Sequence, residues 1–168
     1  MYKKILALDP SGNFVEGKGT TGYVILNHKY RILDYGELKA SECDEAGQYW
    51  LQHKQLMDLW VKKGAGVVIE DYLLYAHKAE EQINSRFETS QLLGVLKQHA
   101  YESGCTLHFQ KAQQVKRRWG DHILKYKGYI FQDGHKAFRF THDGEFASRH
   151  VRDALRHALH FAHFKNKE

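Results

Sequence analysis

The sequence predicts an α/β fold in which a five-stranded mixed sheet, an antiparallel meander followed by parallel strands, carries helices on both faces. Three observations lead there. Before residue 40 there are three short apolar runs, KKILALD, TTGYVILN and YRILDYGEL, with no helical stretch between them. Stretches of helical period then alternate with two more short runs, GVVIED and CTLHFQ, an order that joins strands in parallel through right-handed crossovers. The chain ends in a helical stretch whose apolar stripe is unbroken.

The elements follow in order. Between the first two strands lies PSGNFVEGKGT, whose glycines Gly12, Gly17 and Gly19 and lack of periodicity read as a flexible loop, long for a hairpin. Residues 44–63 place Tyr49, Trp50, Leu51, Leu56, Leu59, Trp60 and Val61 at helical intervals, and Gly64 and Gly66 stop that helix. The buried strand GVVIED follows. Residues 79–103 form a long helix with Ile83, Phe87, Leu93, Leu96 and Ala100 roughly on one face, ended by Gly104. After CTLHFQ, KAQQVKRRWG starts further helical turns, and KGYIFQDGHKAFRF alternates aromatics about Asp133 and Gly134 as a hairpin does. The last helix covers residues 147–164, with Val151, Ala154, Leu155, Ala158, Leu159 and Ala162 as its packing stripe.

The 168 residues suit one compact domain, 1–168, able to bury an adequate core without disulfides. Cys43 and Cys105 stand far apart and have no CxxC spacing, so neither a disulfide framework nor a zinc pattern is present. The N-terminal apolar stretch is too short for a signal peptide, and no uncharged apolar run can span a bilayer. The expectation is a soluble, intracellular, cytoplasmic protein without a membrane partner. Lys and Arg number 25 against 20 Asp and Glu, and the pI near 9.1 tilts the chain towards an anionic partner. Twelve histidines are many, but His157, His160 and His163 lack the further ligands of a zinc array and read as a solvated or partly packed face.

Candidate chemistry rests on acids. Asp9 ends the apolar run ILALD and Glu70 ends VVIE, and a carboxylate so placed is costly to bury unless it is paired or bound to a cation. Taken singly, each acid reads as well as the point where a strand meets solvent. On the last helix His150 and Asp153 are three apart and project from one side, with Asp153 among the apolar residues Val151, Ala154 and Leu155. Asp71 faces the opposite side of its strand from Glu70 and is the weaker candidate.

ILALDPS, TTGYVIL, VVIEDY, QVK and HVRDAL, in this order over nearly the whole chain, resemble the RuvC-type crossover junction endonucleases of the ribonuclease H-like superfamily. The resemblance implies that Asp9, Glu70 and Asp153 hold two magnesium ions per site, with Asp9 between them, and that His150 belongs to the same ligand set. Manganese would substitute, since imidazole suits it. Two hard cations activate water on one side of a phosphodiester and stabilise the leaving oxygen on the other. The resemblance further implies a homodimer acting on four-way junctions, with Gly94 in the helix of the dimer seam, because two cuts in a symmetric junction require two sites about a dyad.

For DNA the candidates are Lys116 in QVK, its neighbours Arg117 and Arg118, Arg149 on the last helix, and Tyr72 and Leu73 after Glu70. Leu73 stands where relatives carry an aromatic that enters the junction centre, and Tyr72 and Tyr75 offer stacking faces nearby. This departure widens the expected substrate to branched DNA in general, flaps and forks included. Arg149, Arg152 and Arg156 form a basic stripe that reads equally as a phosphate clamp or as ordinary surface charge. Two alternatives share these features: a ribonuclease H acting on RNA:DNA hybrids, and a non-cleaving branched-DNA-binding protein.

Overall fold

The computed structural model describes residues 1–71, 87–135 and 137–166. Strands β1 (Lys4–Asp9), β2 (Thr20–Asn27), β3 (Ile32–Lys39), β4 (Ala65–Asp71) and β5 (Leu107–Lys111) form one sheet in the order β3-β2-β1-β4-β5. The first three pair antiparallel, whereas β4 joins β1 and β5 joins β4 in parallel. Helices α1 (Ala46–Val61) and α2 (Glu88–Glu102) precede β4 and β5. The short helices α3 (Ala112–Arg118) and α4 (Asp121–Tyr126) lead to a separate hairpin of β6 (Ile130–Asp133) and β7 (Ala137–Phe140), and α5 (Arg149–Phe164) follows. The mixed sheet, the helices on both faces and the hairpin about Gly134 agree with the sequence reading.

Strand alternation builds two cores. Ile5, Ala7, Val24, Leu26 and Val68 face one way and pack under α5, while Leu6, Leu8, Ile25, Val67 and Ile69 face the other way beneath α1 and α2. On α5 all six residues of the predicted stripe are buried. Full burial of a Leu or Val stabilises by about 1.5–3 kcal/mol, so this helix is strongly held to the sheet.

Three expectations change. The buried face of α1 is Tyr49, His53, Met57 and Trp60, whereas Leu51 and Leu59 are about half exposed. A histidine had hidden the register of that face: His53 is fully buried because the Tyr49 carbonyl accepts from its Nδ1 at 2.7 Å and the Thr21 hydroxyl lies 2.8 Å from its Nε2. The helix that ends at Glu102 begins at Glu88, and Phe87, expected on its apolar face, is instead its exposed N-cap in the left-handed region; Ile83 and the rest of 79–86 lie outside the described residues. The loop after β1 is pinned rather than free. Thr21 Oγ1 accepts from the Ser11 amide, Thr89 Oγ1 from the Gly12 amide, and Ser11 O from the Tyr49 hydroxyl. A Cβ on Gly12 would stand 2.1 Å from the Glu88 carbonyl oxygen, so only glycine lets this loop lie against α2.

Burial pushes the His53 pKa down to about 4, from 6.5. Above pH 6.5 the ring is neutral folded and unfolded, and its contribution to stability is complete. As the pH falls from 6.5 towards 4 the unfolded chain takes up the proton and the folded chain does not, so stability drops by roughly 3 kcal/mol. Urea unfolding across that window is expected to show this slope, and His53→Gln to flatten it.

Candidate active site

The parity that buries Ile5 and Ala7 beneath α5 also turns Asp9 to that face, and the parity of Val68 does the same for Glu70. Ala7 stands opposite Val68 in the parallel pairing, so the two carboxylates emerge side by side two residues further along. Asp71 falls on the other face. The start of α5 is brought over them by two devices. The Ser148 hydroxyl accepts from the Val151 amide as an N-cap and donates to Glu37 on β3. Gly22, paired with Asp9 across β1 and β2, has no side chain where a Cβ would stand 2.2 Å from the His150 carbonyl carbon. The TGY sequence therefore admits the first turn of α5 onto the sheet.

His150 and Asp153 descend from that turn onto the strand ends. His150 Nδ1 lies 3.1 Å from Asp9 Oδ2, and its side chain remains 41 % exposed. Asp153 is almost fully buried and is held by Lys116, whose Nζ is 3.0 Å from Oδ2, and by the Arg156 guanidinium on Oδ1. Lys116 also reaches Glu70 at 3.8 Å, so one ammonium spans two of the acids. Arg149 is largely exposed and stands 4.0 Å from Asp153.

Glu70 has a further partner that sequence reasoning placed elsewhere. His157 is fully buried, not part of a solvated histidine face: its Nε2 lies 2.8 Å from Glu70 Oε2 and its Nδ1 3.0 Å from the Gln110 side-chain amide. Gln110 pairs with Glu70 in the β4–β5 register and so faces the same side. The available signal was periodic, since His157 stands four residues after Asp153 and one turn of helix brings it to the same face. Arg152 and Arg156 likewise leave the expected surface stripe. Arg156 is buried between Asp153, Asp121 and the Trp119 carbonyl, and Arg152 pairs with Asp121 and lies over the Phe138 ring.

The electrostatics are those of crowded acids. Burial raises the Asp9 pKa, and the nearby charges of Glu70 and Asp153 add to that rise, against the opposing hydrogen bond from His150. Burial also acts against ionised Glu70, but hydrogen bonding and charge from His157, the Lys116 charge and a hydrogen bond with Asp9 outweigh it and lower its pKa. The hydrogen bond with Asp9 raises the His150 pKa despite partial burial. Among the described residues no three Asp, Glu, His or Cys side chains stand in metal-holding geometry, and the acids are engaged with Lys116, Arg156, His150 and His157. The donor chemistry nevertheless fits a hard divalent cation: three carboxylates from separate elements raise one another's need for positive charge, and cationic side chains supply it at present.

The remaining candidates divide. Arg117 and Arg118, on the last turn of α3, are exposed. Tyr72, Leu73 and Tyr75 lie outside the described residues. Gly94 is exposed on α2, with open space around a built Cβ, and nothing within the described chain approaches it. Cys43 and Cys105 are free thiols, and no described helix is long and apolar enough to cross a membrane.

No protein-family model matches the sequence, and no curated protein is similar to it. Solved structures are. A Thermus thermophilus RuvC in complex with a Holliday junction substrate superposes with TM-score 0.67 at 18 % identity, over 98 % of this chain and 96 % of that one. A second T. thermophilus RuvC structure gives TM-score 0.63 at 17 % identity, over 97 % and 95 %. The fold is thus RuvC-like and of the ribonuclease H type.

Gly22→Ala is expected to lift the first turn of α5 from β2. Urea unfolding should show a loss of roughly 1–3 kcal/mol, and the chemical shifts of His150 and Asp153 should move more than those of residues in the far half of α5.

Proposed function

We propose that this chain is a divalent-metal-dependent endodeoxyribonuclease that cuts branched DNA, four-way junctions among its substrates. The observation that carries this reading is the convergence of Asp9, Glu70 and Asp153 from β1, β4 and α5 at one edge of a RuvC-like sheet. Two ions of the magnesium class, with manganese as substitute, would be held by these acids together with His150, and would supply an activated water and a stabilised leaving oxygen. The chain itself provides the remainder. Burial beneath α5 keeps the acids in a medium where charge interactions are strong. Lys116, partly exposed and shared between Glu70 and Asp153, would be available to the scissile phosphate with a cation held by those acids. Arg149 at the rim meets a neighbouring phosphate, and Arg117 and Arg118 extend the positive surface.

A junction with twofold symmetry is cut on both sides by two such sites, and a homodimer provides them. The exposed Gly94 leaves α2 open to close approach by a second helix. Tyr72 and Leu73, which follow Asp71 in the sequence, are taken in this reading as DNA contacts. The breadth of substrate follows from Leu73, which cannot stack as an aromatic does.

The deciding experiment incubates the protein with labelled four-way junction, fork, flap, linear duplex and RNA:DNA hybrid in magnesium, manganese or chelator. Cleavage of the branched DNAs with either metal is expected, lost with chelator, and lowered roughly 100-fold or more by Asp9→Asn, Glu70→Gln or Asp153→Asn with junction binding kept. Preferred cleavage of the hybrid would replace this function with that of a ribonuclease H. A dimer in light scattering is expected at working concentration.

His157 gives a separate expectation. If its ring orients Glu70 for a cation, His157→Gln weakens manganese binding measured calorimetrically by about ten-fold, and an unchanged affinity would remove that role.

A further inference from the structure

Three cavities lie in series beside α3 and the C-terminal half of α5. The first, of 610 Å³, has Tyr30, Trp119, Tyr129, Arg118, Lys127 and Phe164 among its walls. The second, of 660 Å³, shares Arg118 and Phe164 with it and adds Arg117 and Lys165. A third, of 550 Å³, shares His160, Gln114 and Lys165 with the second and continues past Lys111 to Phe109 on β5. The shared walls set them side by side along one face, and together they are called the groove. Among the described residues no Asp or Glu lines any of the three.

Charge and aromatic faces alternate along it. The Arg118 guanidinium lies over the Phe164 ring, 4.6 Å from its centroid, and so presents a flat cation on a flat apolar face. Tyr30 has φ +60, a backbone region that a tyrosine seldom occupies, and its carbonyl accepts from the Tyr129 hydroxyl at 3.1 Å. Two aromatic walls are thereby tied together. The groove also touches the acid cluster from behind. Helix α3 sends Lys116 to Asp153 and, two residues later, Arg118 to the groove. Gln110 lines the third cavity and holds His157, the partner of Glu70, while the carbonyl of Trp119 accepts from Arg156, the partner of Asp153.

We infer that this groove binds a single strand of DNA running away from the cleavage site. Phosphates are the anions that a wall of arginine and lysine without acids would take. The aromatic faces require bases that are not already stacked in a duplex, and three linked concavities match successive nucleotides better than they match a rod. The groove lets the enzyme hold an unpaired arm while the paired arms meet the acids, which favours forks and flaps over closed junctions. The choice of DNA over RNA rests on the proposed nuclease function; the presence of a single-strand groove does not.

Fluorescence anisotropy of labelled oligo-dT of eight nucleotides, in chelator so that no cutting occurs, tests the groove with wild type, Phe164→Ala and the double variant Arg118→Ala/Lys165→Ala. All three side chains are exposed, and circular dichroism checks that the variants fold. Wild type is expected to bind the single strand more tightly than an eight-pair duplex. Phe164→Ala should weaken single-strand binding roughly ten-fold, and the double variant should lower the salt slope, log Kd against log salt, by about 1.4. Absence of single-strand binding, affinity unmoved in both variants, or equal competition by polyglutamate would overturn the groove. Tighter binding of oligo-rU would overturn the DNA assignment. Junction cleavage is scored separately: cleavage with no effect of the variants on oligo-dT removes the groove and leaves the nuclease, whereas groove binding without metal-dependent cleavage does the reverse.

Discussion

Asp9, Glu70 and Asp153 are three like charges gathered where water is scarce, and the surrounding structure is arranged to make that tolerable. Burial and the charges of Glu70 and Asp153 oppose ionisation of Asp9, and every acid has a positive or proton-bearing neighbour: His150 for Asp9, His157 for Glu70, Arg156 and Lys116 for Asp153. Removing Asp153 or Glu70 would leave a buried partner, Arg156 or His157, without its acid. Such a cluster stabilises a fold poorly compared with apolar packing, and chemistry is the reason to keep it.

Helix α5 is the element on which this cluster depends. One face supplies Val151, Ala154, Leu155, Ala158 and Leu159 to the core, and the adjoining edge supplies His150, Asp153, Arg156 and His157 to the acids. The helix is placed by a cap at Ser148, by that cap's bond to Glu37 and by the close approach that Gly22 permits. A rigid support for the site therefore comes from the same contacts that build the core, so core and site move together when the helix moves.

Charge is distributed with a division of labour. Arg152 and Arg156 turn inward and neutralise acids, which removes them from the net positive surface. Arg117, Arg118, Lys127 and Lys165 remain outward beside aromatic walls, and among the described residues no acid lines the groove with them. Counting basic residues along the chain cannot separate these two sets, although they serve opposite purposes.

The mixed sheet of a meander followed by parallel strands, the burial of α5 and the strand-end positions of Asp9 and Glu70 were legible in the sequence, because strand alternation and helical period are local rules that apolar residues obey one at a time. Asp153 among apolar neighbours was legible for the same reason. The sequence could not reveal the buried face of α1, since His53 occupies a core position that becomes affordable only with Thr21 and the Tyr49 carbonyl in place. His157 beneath Glu70, Arg156 on Asp153 and the basic, aromatic groove were decided by tertiary structure alone. Each depends on groups far apart in the chain, 87 residues in the case of His157 and Glu70, and whether a polar side chain is buried is set by the partner that folding brings to it.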